Sequence, residues 1–126
     1  MSNITDQEIQ AVSTAPRVTR ADIEANIASE HFFTAQHGVD GAMASLQLHQ
    51  WTKHTGHEGA LRLLTFCVLV LRNGFTVTGE SACASPENFD AAIGRLIARE
   101  NAIAKLWPLM GYELKFKMAA FSGSGA

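Results

Sequence analysis

LLTFCVLVLRNGFTVTGES, residues 63–81, holds the stretch that decides the fold. Two runs rich in β-branched and aromatic residues, Leu63–Leu71 and Phe75–Ser81, flank Asn73-Gly74. An Asn-Gly pair between such runs predicts a β-hairpin with a two-residue type I′ turn, whose central residues both need φ > 0. That loop sets Arg72 opposite Phe75, Val70 opposite Val77, Val68 opposite Gly79 and Phe66 opposite Ser81. One face then carries Phe66, Val68, Val70, Phe75 and Val77. The other carries Cys67, Leu69 and Leu71 beside Thr76, Thr78 and Glu80. The apolar half of this second face calls for cover, from a helix or from another subunit.

Downstream, Ser85-Pro86-Glu87 has the form of a helix start, with Ser at the N-cap, Pro at N1 and an acid in the first turn. A helix over 86–107 follows, with Phe89, Ile93, Leu96, Ile97, Ile103, Ala104 and Trp107 as its apolar face and Pro108 as its stop. Tyr112–Phe116 alternates apolar and charged residues, the pattern of a third strand. Upstream, Thr19-Arg-Ala-Asp22 resembles a capping box and opens a short amphipathic helix over about 20–30. His31–Ala35 fits either the last turn of that helix or a short strand. The glycines of His37–Gly41 predict a break, and Met43, Leu46 and Trp51 a second helix over 42–53. The whole is α+β: a flexible leader 1–16, one domain 17–118 built on a small antiparallel sheet, and a tail 119–126.

The 126 residues suffice for one domain, and 47% hydrophobic against 17% charged provides a core. The formal net charge of -2 argues against a general binder of nucleic-acid polymers. Yet residues 1–60 carry 3 basic and 7 acidic side chains, and residues 61–126 carry 7 and 5. A local anion site in the second half fits that imbalance. No apolar run has the length of a membrane span, and the polar, acidic N-terminus does not read as a signal peptide. Two cysteines, Cys67 and Cys83, then suit a reduced cytosolic setting.

The chemistry-bearing motifs are few. His49, His54 and His57 lack the spacing of a zinc helix, so no metal or other cofactor is expected. Cys83, beside Ala82 and Ala84, reads as a small packing residue rather than an activated thiolate. No nucleophile motif, phosphate loop or carboxylate pair points to catalysis. The small residues Ser81–Ser85 leading into a helix start suit either a tight strand-to-helix crossing or an anion at free N–H groups.

The run from Leu63 to Asp90 resembles a family of small tailed-phage proteins. So do Ile93-Gly-Arg, Ala98-Arg-Glu-Asn-Ala102, Trp107-Pro-Leu-Met-Gly-Tyr-Glu-Leu114 and the opening Pro16-Arg-Val-Thr-Arg-Ala-Asp-Ile23. The resemblance spans about 17–35 and 61–115, while 41–60 and the Gly-Ser tail depart from the pattern. It extends to the Thoeris anti-defence proteins, phage-encoded sponges that bind cyclic ADP-ribose isomers, and in some cases cyclic oligonucleotides, without cleaving them. What it implies is a non-enzymatic, homo-oligomeric protein acting in the cytoplasm of an infected bacterium on a cyclic nucleotide. Set against such a ligand, Ser85 and Asn88 would offer the helix-start N–H groups, and Arg95 and Arg99 the cations. Phe89 would stack on a base, and Asn88 or Asn101 would read a base edge or ribose. Arg72, Lys115 and Lys117 are alternative cations. The other expectation is a phage accessory protein acting through a protein partner.

Overall fold

The computed structural model describes residue 5, residues 15–46 and residues 57–123. Helix α1 (Arg20–Ala25) leads into strand β1 (Ile27–Thr34) and helix α2 (Ala35–Leu46). The one-turn helix α3 (Glu58–Leu61) precedes strands β2 (Leu64–Leu71) and β3 (Thr76–Ala82). After a 3-10 turn at Pro86–Asn88, the helix α4 (Ala91–Gly123) closes the described chain. The three strands form one antiparallel sheet in the order β1-β2-β3, so the α+β class holds.

The hairpin is present, but its loop is longer and its register is shifted by one. Gly74 N–H donates to the Leu71 carbonyl (2.9 Å) and Leu71 N–H to the Phe75 carbonyl (2.8 Å), so Arg72, Asn73 and Gly74 all lie in the loop. Gly74, at φ +88, is the left-handed residue that ends a three-residue turn. The Asn73 carboxamide accepts from Phe75 N–H (2.9 Å), removing the donor that a two-residue loop would use. Leu69 therefore faces Val77, and Val68 faces Thr78. A one-residue slip exchanges the faces of a strand. Here it moves Val77 onto the side of Cys67, Leu69 and Leu71, all of them buried. The apolar pattern outweighs the local turn preference. Gly74→Val is expected to cost more than the ~1 kcal/mol of an ordinary propensity change, because φ > 0 is strained for a β-branched residue. A denaturant midpoint equal to wild type would contradict this.

The Cys67–Leu69–Leu71 face is covered by α4 of the same chain, not by a second subunit. Ala98, Ala102, Ile103 and Leu106 are buried against it, and Ile23 of α1 completes the core. At Gly79 the backbone of β3 meets the backbone of α4 directly: an added Cβ would overlap Ala102 N and the Ala98 carbonyl oxygen.

Four further expectations are corrected. First, α1 ends at Ala25, and Ile27–Thr34 is a strand paired along β2. The capping box does form, with Asp22 N–H on Thr19 Oγ1 (3.1 Å) and Thr19 N–H on the Asp22 carboxylate (2.9 Å). Second, His37–Gly41 is helical. Thr34 Oγ1 accepts from His37 N–H (3.1 Å) and His37 Nδ1 from Thr34 N–H (3.0 Å), a reciprocal cap that starts α2 seven residues before the expected Ala42. Gly38 lies against the Phe33 ring, 3.8 Å from where a Cβ would stand. The expected end of that helix, past Leu46, lies outside the described residues.

Third, Ser85-Pro86 opens only the 3-10 turn. Asp90 caps the long helix, its Oδ1 accepting from Ile93 N–H (3.1 Å). Fourth, Pro108 does not stop α4, which runs on through Tyr112–Phe116 and into the expected tail as far as Gly123. The carbonyl deprived of its donor, that of Ala104, belongs to an exposed residue and can turn to water. The apparent alternation at 112–116 resolves into helical pairs four apart, Tyr112 with Phe116 (6.5 Å between ring centroids) and Glu113 with Lys117 (3.8 Å).

Candidate functional site

The end of β1, the first turns of α2 and the start of α4 enclose a cleft of about 490 Å³. Phe32, Phe33 and Phe89 wall it, and Arg62, just before β2, and Arg95, on α4, line it from separate stretches of the sequence. Gly94 lets α4 approach the floor, since a Cβ there would lie 3.1 Å from Thr65 Oγ1 and 3.9 Å from the Phe89 ring. From α2 come Gln36, His37 and Asp40. Gln36 is buried, with its Nε2 donating to Asp40 Oδ1 (2.8 Å) and its Oε1 unpartnered. Because His37 Nδ1 accepts a backbone N–H, the neutral ring carries its proton on Nε2 and offers a donor there.

The electrostatics separate the arginines into two groups. Arg99 is committed to Glu24 (2.6 Å) and Glu30 (3.2 Å), and Arg20 to Glu24 (3.1 Å) and Glu100 (2.6 Å). Arg72 Nε donates to the Ala25 carbonyl (2.6 Å). Arg62 and Arg95, by contrast, have no ion pair or hydrogen-bond partner among the described residues, and both line the one cleft. Two uncommitted guanidiniums beside aromatic walls form a site suited to an anionic, flat ligand.

Of the six expected ligand residues, the cleft brings together Phe89 and Arg95. Asn88 Nδ2 donates to Ser85 Oγ (3.2 Å), which closes the 3-10 turn. Asn88 also lines a second groove of about 290 Å³ with Ser81–Ala84, Ile93 and Ile97, and Phe89 stands between the two. Asn101 Nδ2 caps the Glu80 carbonyl at 2.8 Å. Arg99 fastens α4 to α1 and β1, so its donors are spent within the fold. Cys83 is half-buried, its thiol on the Ser85 carbonyl (3.2 Å). Burial pushes the Cys67 thiol up to about 11, which keeps it protonated. His57 is exposed, and His49 and His54 lie outside the described residues. Sequence reading missed Gln36, His37 and Arg62. Thr34-x-x-His37 was the available signal, a capping spacing with His in the place of Glu.

The Arg99 clamp has a pH signature. Hydrogen bonds from Arg99, then from Arg20, hold the Glu24 carboxyl down at about 2 against burial, which raises it. A depressed carboxyl contributes stability above its unfolded value near 4.5 and loses it as pH falls toward 2. Arg99→Met is expected to lower stability by about 1–2 kcal/mol at neutral pH, since the three side chains are only partly buried. It should also flatten the loss between pH 4.5 and 2. Thermal melts across that range, parallel for variant and wild type, would argue against the clamp.

A single three-stranded antiparallel sheet backed by one long helix, with a cleft lined by phenylalanines and two arginines at one end, defines a small α+β protein. The chain belongs to the Phage protein (N4 Gp49/phage Sf6 gene 66) family, whose pattern it matches over residues 18–118. No curated protein and no solved structure matches it. Among the described residues, no helix is long and apolar enough to cross a membrane.

Proposed function

We propose that this phage protein binds and sequesters a cyclic nucleotide signal of bacterial immunity, without cleaving it. A cyclic ADP-ribose isomer is the leading ligand and cyclic oligonucleotides are the wider class, which gives the protein an anti-defence role against Thoeris- or CBASS-type systems. The observation that carries this reading is the pairing of Arg62 and Arg95, both uncommitted, in a cleft walled by phenylalanines. A cyclic dinucleotide-like ligand presents phosphate oxygens for guanidinium forks and flat bases for aromatic faces. The volume of about 490 Å³ lies in the range of small-molecule sites. Resemblance to the sponge proteins points to the same chemistry.

A thermal-shift screen against cyclic ADP-ribose isomers and cyclic di- and trinucleotides tests the proposal. A sponge gains melting temperature with its ligand and releases it intact on heating. Recovery of a cleaved product would make the protein an enzyme. No shift with any cyclic nucleotide would leave the accessory-protein reading.

A further inference from the structure

Among the described residues, Gln36 Oε1 is the one buried side-chain polar atom without a hydrogen-bond partner. Gln36 is 8% exposed and sits in the first turn of α2, where it lines the cleft. Its amide cannot turn over at no cost. Nε2 donates to Asp40 Oδ1 (2.8 Å), one helical turn on, and a flipped amide would set its oxygen against that carboxylate. The orphan is therefore fixed as an acceptor. A buried acceptor left unpaired is costly, so a ligand that brings an N–H to it recovers that cost.

We propose that Gln36 selects the base of a nucleotide ligand, its carbonyl oxygen accepting from the amino group at carbon 6 of an adenine. This rests on the reading of the cleft as a nucleotide site. Arg62 and Arg95 cannot make such a choice, because guanidiniums offer donors alone, which suit phosphate. Next to Gln36, the neutral His37 ring offers its Nε2–H, since its Nδ1 accepts from Thr34 N–H (3.0 Å). Adjacent residues lining the cleft thus supply an acceptor and a donor. An adenine edge carries the complement, an amino N–H beside a ring nitrogen that accepts. Hypoxanthine and guanine carry an oxygen at carbon 6, and two acceptors would then face each other. Phe32, Phe33 and Phe89 take the base by its face, which leaves the edge to be read.

NMR titration of the full chain with AMP, IMP and GMP reads the base alone. Calorimetry with cyclic di-AMP against cyclic di-IMP reads it within a cyclic signal. Wild type is expected to prefer the adenine member of each set by about tenfold or more. Gln36→Met, similar in length but without the acceptor, should abolish that preference by weakening adenine binding while leaving IMP binding nearly unchanged.

A residue that only shapes the cleft would weaken AMP and IMP together and keep their ratio, a result that would overturn the proposal. Equal binding of AMP and IMP by wild type would overturn it as well. In that case a loss of affinity for 2′-deoxy-AMP would assign the acceptor to a ribose hydroxyl. A preference for AMP that Gln36→Met abolishes, without binding of either cyclic dinucleotide, would uphold the choice of base and remove the cyclic signal as the ligand. If no probe binds, both readings fall.

Discussion

Gly79→Ala is expected to give a protein that melts far below wild type or fails to accumulate in folded form. The added methyl would overlap Ala102 N and the Ala98 carbonyl oxygen, and would stand 2.9 Å from Ala102 Cα. These are backbone atoms in the middle of α4, so no rotamer change relieves the overlap. Relief requires α4 to lift from β3, which opens the packing of Ala98, Ala102 and Leu106 on Leu69 and Val77. Overpacking a core costs about 1–3 kcal/mol when side chains can yield, so a backbone collision belongs at or above the top of that range. A small domain with total stability of about 5–15 kcal/mol loses much of it. Gly79→Val should be worse, whereas Gly41→Ala, with open space around it, should be neutral or slightly stabilising. Circular dichroism melts of the three variants decide the point. A Gly79→Ala protein with wild-type melting would mean that helix and strand do not approach so closely.

Gly79 also illustrates how far the sequence could be read. The hairpin was legible because β-branched runs on both sides of Asn73-Gly74 state a local preference. The register was not, because the partner that selects it, the Ala98–Leu106 face of α4, lies some twenty residues downstream. Strand β1 was ambiguous because its half-polar pattern satisfies neither period cleanly, and pairing with β2 settles it. Pro108 misled because the rule for a helix stop is local, and the cost of one lost hydrogen bond is smaller at an exposed carbonyl. Phe89 and Arg95 could be named from the helix they precede and enter. Arg62 could not, since only the closure of the sheet brings it to the same cleft. Arg99 and Arg95 look alike in sequence, four residues apart. Only the positions of Glu24 and Glu30 distinguish the spent cation from the free one.

That distinction sets the result expected of the proposed ligand. Arg95→Ala and Arg62→Ala should each weaken cyclic nucleotide binding by at least tenfold, and the double variant by a hundredfold or more. A charge-assisted contact to phosphate is worth about 1.5–3 kcal/mol, and 1.4 kcal/mol corresponds to a factor of ten. Neither guanidinium has a partner among the described residues, so their removal should leave the melting temperature of the free protein nearly unchanged. Arg99→Met should behave in the opposite way, losing stability and keeping affinity. Arg95→Lys should recover only part of the loss, because an ammonium cannot reproduce the planar fork on a phosphate. Rising salt should weaken wild-type binding more than that of the double variant, whose charge contacts are gone. Isothermal titration with the ligand that gives the largest thermal shift measures all of these. If the double variant binds as wild type does, the ligand does not occupy this cleft. If instead Arg99→Met alone abolishes binding at a temperature where it remains folded, the clamp between α1, β1 and α4 is the anion site, and Glu24 and Glu30 must release Arg99 for the ligand.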